Sequence, residues 1–100
     1  MTDAVRPLAP VDVAAKWEQA VVRIFWRRPA AQSSRRVRHY DIQYRTVGQW
    51  VSLVTVSVNA TSYDWTTASR GATYQFRLFS VAEGDLYSEP STSVTVQTTG

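Results

Sequence analysis

Apolar and aromatic residues fall on every second position in three separate stretches of this chain. They are Val22, Ile24 and Trp26; Tyr40, Ile42 and Tyr44; and Tyr74, Phe76 and Leu78. A period of two puts each set on one face of a strand, because successive side chains of extended backbone point to opposite sides. No segment shows the period near 3.6 that a helix requires. Strands that each bury one ring-bearing face need a second sheet to cover them, so the pattern specifies an all-β, two-sheet sandwich. A slip of one residue would bury several arginines, which fixes the register strongly.

Turn signals divide the rest of the chain at intervals of about ten residues, the spacing of a seven-stranded Greek-key sandwich. Pro7 and Pro10 bracket an extended lead-in, and Val11 to Lys16 reads as a first edge strand, where a missing N–H costs no ladder bond. Trp17 to Ala20 is expected to turn the chain. Val21 to Arg27 is a strand ended by Pro29, Ala30 to Arg36 a polar loop, and Val37 to Thr46 a strand. After a turn at Gly48-Gln49, Trp50 to Val58 supplies one or two further strands. Asn59-Ala60 turns again, Thr61 to Thr66 is a strand, and Ser69-Arg70-Gly71 is a corner. Thr73 to Val81 and Ser91 to Thr98 are the last two strands. Between them Glu83-Gly84-Asp85 reads as a hairpin loop with glycine at a positive φ. One hundred residues suit a single domain, 1–100, with its core about 9–98.

The alternation sorts the side chains. Trp26, Tyr40, Tyr44, Trp65, Tyr74 and Phe76 are expected in the core, with Ser80 also inward. Arg23, Phe25 and Arg27 face out from one strand, His39, Asp41, Gln43 and Arg45 from the next, and Gln75, Arg77, Phe79 and Val81 from a third.

Several chemistries are excluded by what the chain lacks. It has no cysteine, so neither a disulfide nor thiol chemistry is available. No apolar run is long enough to cross a bilayer. Met1 to Pro10 contains Asp3 and Arg6 and no apolar block, so any export signal is expected outside these residues. No set of histidine and carboxylates has metal-ligand spacing, no glycine-rich phosphate loop is present, and no cofactor is expected. His39 and Asp41 share an outward face two residues apart, but an exposed strand is a poor pocket and no nucleophile is placed beside them. An enzyme is therefore not expected. The net charge is +3, and seven arginines between Arg23 and Arg45 face a single acid, Asp41. Such a basic stretch is most often a solvated surface; its alternative is attraction of an acidic partner. Lys16 is the only lysine, a bias that fits a GC-rich bacterial or phage genome.

Four pieces in order resemble a fibronectin type III domain over Pro10 to Thr98: Trp26-Arg27-Arg28-Pro29, the run Tyr40-Asp41-Ile42-Gln43-Tyr44-Arg45, the corner Gly71-Ala72-Thr73-Tyr74 with Phe76 and Leu78, and Ser88-Glu89-Pro90-Ser91. The resemblance implies an immunoglobulin-like sandwich in which the Tyr74 hydroxyl reaches corner backbone. Ala68, Arg70 and Ala72 depart from the family's corner pattern, and Trp65 is expected to fill the space. The Arg-rich strands and the Thr73-Tyr74-Gln75-Phe76-Arg77 run are similar to modules of phage tail-tip and host-specificity proteins. Similar modules also stand between catalytic domains of bacterial polysaccharide-degrading enzymes and in animal adhesion receptors, with composition favouring a phage or bacterial origin.

That resemblance implies a non-catalytic module of a larger phage tail or cell-surface protein, spacing domains or contacting a neighbouring domain or subunit. Its expected location is extracellular, on a cell surface or in a virion. The alternative is adhesion through loops to a surface receptor or polysaccharide. Nucleic acid is the weaker option, since the rings lie in the core and form no stacking platform. Candidate contacts are Arg35 and Arg36 in one loop, and Glu83, Asp85, Leu86 and Tyr87 in another, with a packed strand start as the equal alternative for Leu86 and Tyr87. The outward Phe25, Phe79 and Val81 are further candidates; Phe79 and Val81 share a face, and partial cover by neighbouring side chains is the equal alternative. The integrin-binding loop of the family needs arginine before Gly-Asp, where Glu83 stands here. Asn59-Ala60-Thr61 fits a glycosylation sequon, with a plain turn as the favoured reading.

Overall fold

The computed structural model describes residues 6–29 and 37–99. Its strands are β1 (Val11–Glu18), β2 (Val21–Arg27), β3 (Val37–Arg45), β4 (Val51–Ser57), β5 (Ser62–Trp65), β6 (Thr73–Ala82), β7 (Leu86–Tyr87) and β8 (Val94–Gln97). A three-stranded sheet, β1-β2-β5, packs on a five-stranded sheet, β4-β3-β6-β7, with β8 also paired to β6. All pairings are antiparallel.

The inward rings interlock in two clusters. Toward one end of the sandwich, Trp26 meets Tyr40 edge-on at 6.0 Å across the sheets. Toward the other, Trp65 contacts Tyr44 and Tyr74, each at 4.9 Å, and Phe76 at 5.9 Å. Offset and edge-to-face pairs of this kind each add about 0.5–1.5 kcal/mol beyond burial. Val22, Ile24, Ile42, Phe76 and Leu78 are wholly buried in the same core. Ser80 is buried as well, on the expected face.

The corner before β6 closes as its tyrosine requires: the Ser69 amide donates to the Tyr74 hydroxyl at 2.9 Å. Trp65 fills the space beside it. Thr98 ties the same corner to the C-terminal strand, its hydroxyl accepting from the Ala72 amide and donating to the Ser69 carbonyl.

Several strand boundaries differ from the sequence expectation. Trp17 and Glu18 stay in β1, Trp17 packs on the core, and only Gln19-Ala20 turns the chain. Both turn residues have positive φ, 54° and 64°, the geometry of the two-residue turns that follow strand twist, here without a glycine. Trp50 precedes β4, which is a single strand with a bulge that leaves Leu53 as an extra residue opposite Ile42 and Gln43.

The last strand is split. Pro90 cannot donate to a ladder, and the segment between β7 and β8 leaves regular strand geometry. Side chains replace what is lost: the Ser80 amide donates to Ser88 Oγ and the Leu78 amide to Ser91 Oγ, each at 2.9 Å. The backbone amides of Ser88 and Ser91 return bonds to the carbonyls of Ser80 and Leu78. The Ser88-Glu89-Pro90-Ser91 motif is thus an interrupted strand whose serines hold β6 in place of a ladder.

Candidate functional site

The outward side chains of the five-stranded sheet form the most organised surface of the molecule. Antiparallel pairing of β3 and β6 sets Gln43 opposite Arg77 and Arg45 opposite Gln75. Each arginine donates from Nε to the glutamine across from it: Arg45 to Gln75 Oε1 at 2.7 Å, Arg77 to Gln43 Oε1 at 2.8 Å. The turn at Gly48 brings Trp50 back over this square. Both guanidinium carbons lie 4.5 Å from the centre of the Trp50 ring, well within cation–π range. Arg77 also lies 5.0 Å from the Phe79 ring.

Neither Arg45 nor Arg77 is ion-paired among the described residues, whereas Arg6, Arg23, Arg27 and Arg38 each face a carboxylate. Burial, and secondarily the neighbouring Arg45 charge, draw the pKa of Arg77 below its usual value. Guanidinium remains protonated at neutral pH all the same. Two like charges are therefore held together by neutral acceptors and a shared ring.

Beyond this square the same face carries a polar network around Asp41. Asp41 is expected outside, and it does lie on the outward face, but it is buried at 8% exposure. The Thr55 hydroxyl donates to its Oδ1 at 2.8 Å and the Tyr87 hydroxyl to its Oδ2 at 2.6 Å. Tyr87 reaches it from β7, with its ring edge-on to Phe79 at 5.8 Å. The bond to Asp41, then burial, raise the Tyr87 pKa. His39 Nε2 stands 3.7 Å from Asp41 Oδ1. The carboxylate is engaged by two hydroxyls, so the His39–Asp41 pair is part of a structural network.

The outward candidates Phe25, Phe79 and Val81 do not form one exposed patch. Phe25 belongs to the opposite sheet, half-buried with Lys16 5.5 Å from its ring. Val81 is fully buried, a correction to its outward, exposed placement. In the register it sits between His39 on β3 and Tyr87 on β7. Only Phe79 remains on the face, half-buried beneath Arg77 and Tyr87.

The loop candidates fare unevenly. Arg35 and Arg36 lie outside the described residues. Glu83 is exposed and 3.7 Å from Arg38. Gly84 and Asp85 both have positive φ, 78° and 58°, as a tight loop requires. Leu86 and Tyr87 form β7, and Tyr87 keeps 42% exposure. Asn59 sits in its turn and accepts a bond from Arg28 at 3.0 Å.

The residues missed from sequence, Trp50, Arg45, Arg77 and their glutamines, did leave a signal. Gln43-Tyr44-Arg45 and Gln75-Phe76-Arg77 are the same pattern, glutamine, inward ring, arginine. Antiparallel pairing of two such triplets produces reciprocal Gln–Arg contacts.

A model of the fibronectin type III domain matches residues 6–97. Solved structures agree in fold. An Fn3-like protein from Clostridium thermocellum superposes with TM-score 0.76 at 16% identity, covering 95% of this chain and 96% of that one. The twitchin kinase region from C. elegans does so with TM-score 0.83 at 21% identity, covering 95% of this chain and 17% of that one. Titin kinase with its flanking domains gives TM-score 0.74 at 21% identity, covering 95% and 18%. At these identities the likeness shows the fold alone. No curated protein matches the chain in sequence.

Proposed function

The chain belongs to the fibronectin type III family, and from that premise we propose that it serves as a non-catalytic module of a larger protein, spacing its neighbours and contacting one of them. Domains of this family sit beside other domains in larger proteins. The unit that this chain resembles occupies a small share of the twitchin and titin kinase chains.

The observation that carries the spacing role is where the chain enters and leaves. Val11 pairs with Arg27, beside the Trp26–Tyr40 end of the sandwich. Gln97 pairs with Thr73, beside the Trp65–Tyr74 end. A polypeptide entering at Val11 therefore leaves from the opposite end, the arrangement that strings domains in a line. A phage tail or cell-surface setting is supported by the sequence resemblance and the arginine bias only.

Replacing residues 6–98 in the parent protein by a Gly/Ser linker of equal length tests this reading. Loss of the parent's assembly or attachment, with the flanking domains still folded, is the expected result. Full retention would sink it. No feature of the described residues favours loop-mediated adhesion over this reading: Glu83 is paired to Arg38, and Tyr87 is tied to Asp41.

A further inference from the structure

We propose that Arg45 and Arg77 form a carboxylate-binding site on the outer face of the five-stranded sheet, for an acidic segment of a protein partner. The inference rests on the module reading above and names the chemistry of its partner.

Three observations carry it. The two guanidiniums converge on one ring, each 4.5 Å from the centre of Trp50. Their Nε atoms are fixed by Gln75 and Gln43, so the forks are preorganised and little side-chain freedom is left to lose on binding. Among the described residues no carboxylate of this chain neutralises either charge; Arg28 and Arg70 also lack one, but they bond Asn59 and face Trp17 separately, whereas Arg45 and Arg77 share one ring. A carboxylate accepting from a guanidinium edge supplies what is lacking, in the geometry arginine matches best.

The surroundings favour protein over sugar or nucleic acid. Guanidinium already occupies a face of the Trp50 ring on which a sugar or base would stack. On the same face Phe79 lies 5.0 Å from the Arg77 guanidinium, and Tyr87 keeps 42% exposure. Apolar side chains beside paired cations suit a peptide in which glutamate or aspartate alternates with apolar residues.

The probe is a capped peptide carrying two glutamates between valine and leucine residues. It is titrated into the isolated chain while the arginine Nε–H and Trp50 indole signals are followed by NMR. A saturable shift of Arg45, Arg77 and Trp50 is expected, absent with the glutamine version of the peptide. Arg45→Gln and Arg77→Gln should each weaken binding about tenfold, the value of one charge-assisted contact. Arg27→Gln, on the other sheet and paired with Asp12, should leave it unchanged.

Arg77→Lys keeps the charge and removes the fork, and should weaken binding to a similar degree with the strand amide dispersion intact. Full affinity in that variant would overturn recognition by the fork. Equal weakening by Arg27→Gln would reduce the effect to diffuse charge and overturn the site. Inorganic sulfate or polygalacturonate binding as tightly as the peptide would overturn the assignment to protein, as would the absence of any shift. None of these outcomes touches the linker-replacement result, so the spacing role stands or falls separately.

Discussion

On the outer face of the three-stranded sheet, Arg23 lies opposite Lys16 and Asp64, and Glu18 reaches both cations at 3.4 and 3.7 Å. On the outer face of the five-stranded sheet, Arg45 and Arg77 meet glutamines at 2.7 and 2.8 Å and share one indole. The first arrangement is long-range, loose and solvated, with side chains 39–53% exposed. Water and salt screen such pairs, which contribute about 0–1 kcal/mol each. The second is built from short hydrogen bonds and ring contacts that salt does not screen, and it leaves positive charge uncancelled. One face is balanced within itself; the other holds its cations in place for something else.

The sharpest way to break this contrast is Asp41→Ala. It removes the acceptor of both the Thr55 and Tyr87 hydroxyls under a nearly closed surface, and should destabilise the domain by about 2–3 kcal/mol. A urea midpoint close to that of the parent chain would show that the network adds nothing. Trp50→Ala comes next, at about 2 kcal/mol from lost burial and two cation–π contacts, read from thermal unfolding. It should also free the Arg45 and Arg77 side chains, visible as collapse of their Nε–H dispersion.

Tyr87→Phe should cost about 1 kcal/mol at neutral pH, discounted for the ring's exposure, and it has a pH signature. The folded-state pKa of Tyr87 is raised by its bond to Asp41, so the stabilisation is complete below the unfolded value near about 10 and is lost as pH rises through the folded value. Tyr40, raised by burial against an opposing Arg28 charge, adds a loss of the same sign. Urea midpoints measured from about pH 8 to about pH 11 should fall less steeply for the Tyr87→Phe chain. An identical slope would place the alkaline loss on Tyr40.

Two smaller effects lie on the three-stranded sheet. Ala20→Gly relieves a left-handed alanine at φ 64° in the β1–β2 turn, and should raise stability by about 0.5–1 kcal/mol after the entropy of glycine is counted. Arg23→Gln should change stability by no more than about 0.5 kcal/mol, an effect that salt abolishes. A larger loss in Arg23→Gln would erase the distinction between the faces.

Most of the architecture was legible because it is local. Val22, Ile24 and Trp26 lie on one side of β2 through backbone geometry alone, and β2 ends at Arg27 before Pro29 as read. The ends of β1 and of the last strand were misread for local reasons of another kind. A two-residue turn without glycine leaves no sequence signal at Gln19-Ala20. A strand broken at Pro90 and mended by serine hydroxyls reads as one strand with a loop before it.

The site was less legible because it depends on strands that are neighbours in space and distant in sequence. Val81 alternates correctly with Phe79 and Arg77, yet it is buried because β7 turns back and brings Tyr87 beside it. Asp41 reads as a solvated carboxylate until Tyr87, 46 residues later, donates to it.

The sequence by itself determined that this chain would be a sandwich, which rings would fill it, and that its arginines would be outside. Alternation in extended backbone requires nothing beyond the neighbouring residues to express it. The tertiary structure decided which outward residues meet. The two Gln-ring-Arg triplets became a paired cation site only when β3 and β6 aligned antiparallel, with Gln43 against Arg77 and Arg45 against Gln75. That alignment is fixed by the buried rings on the other side of the same strands, so core packing sets the geometry of the face turned to solvent.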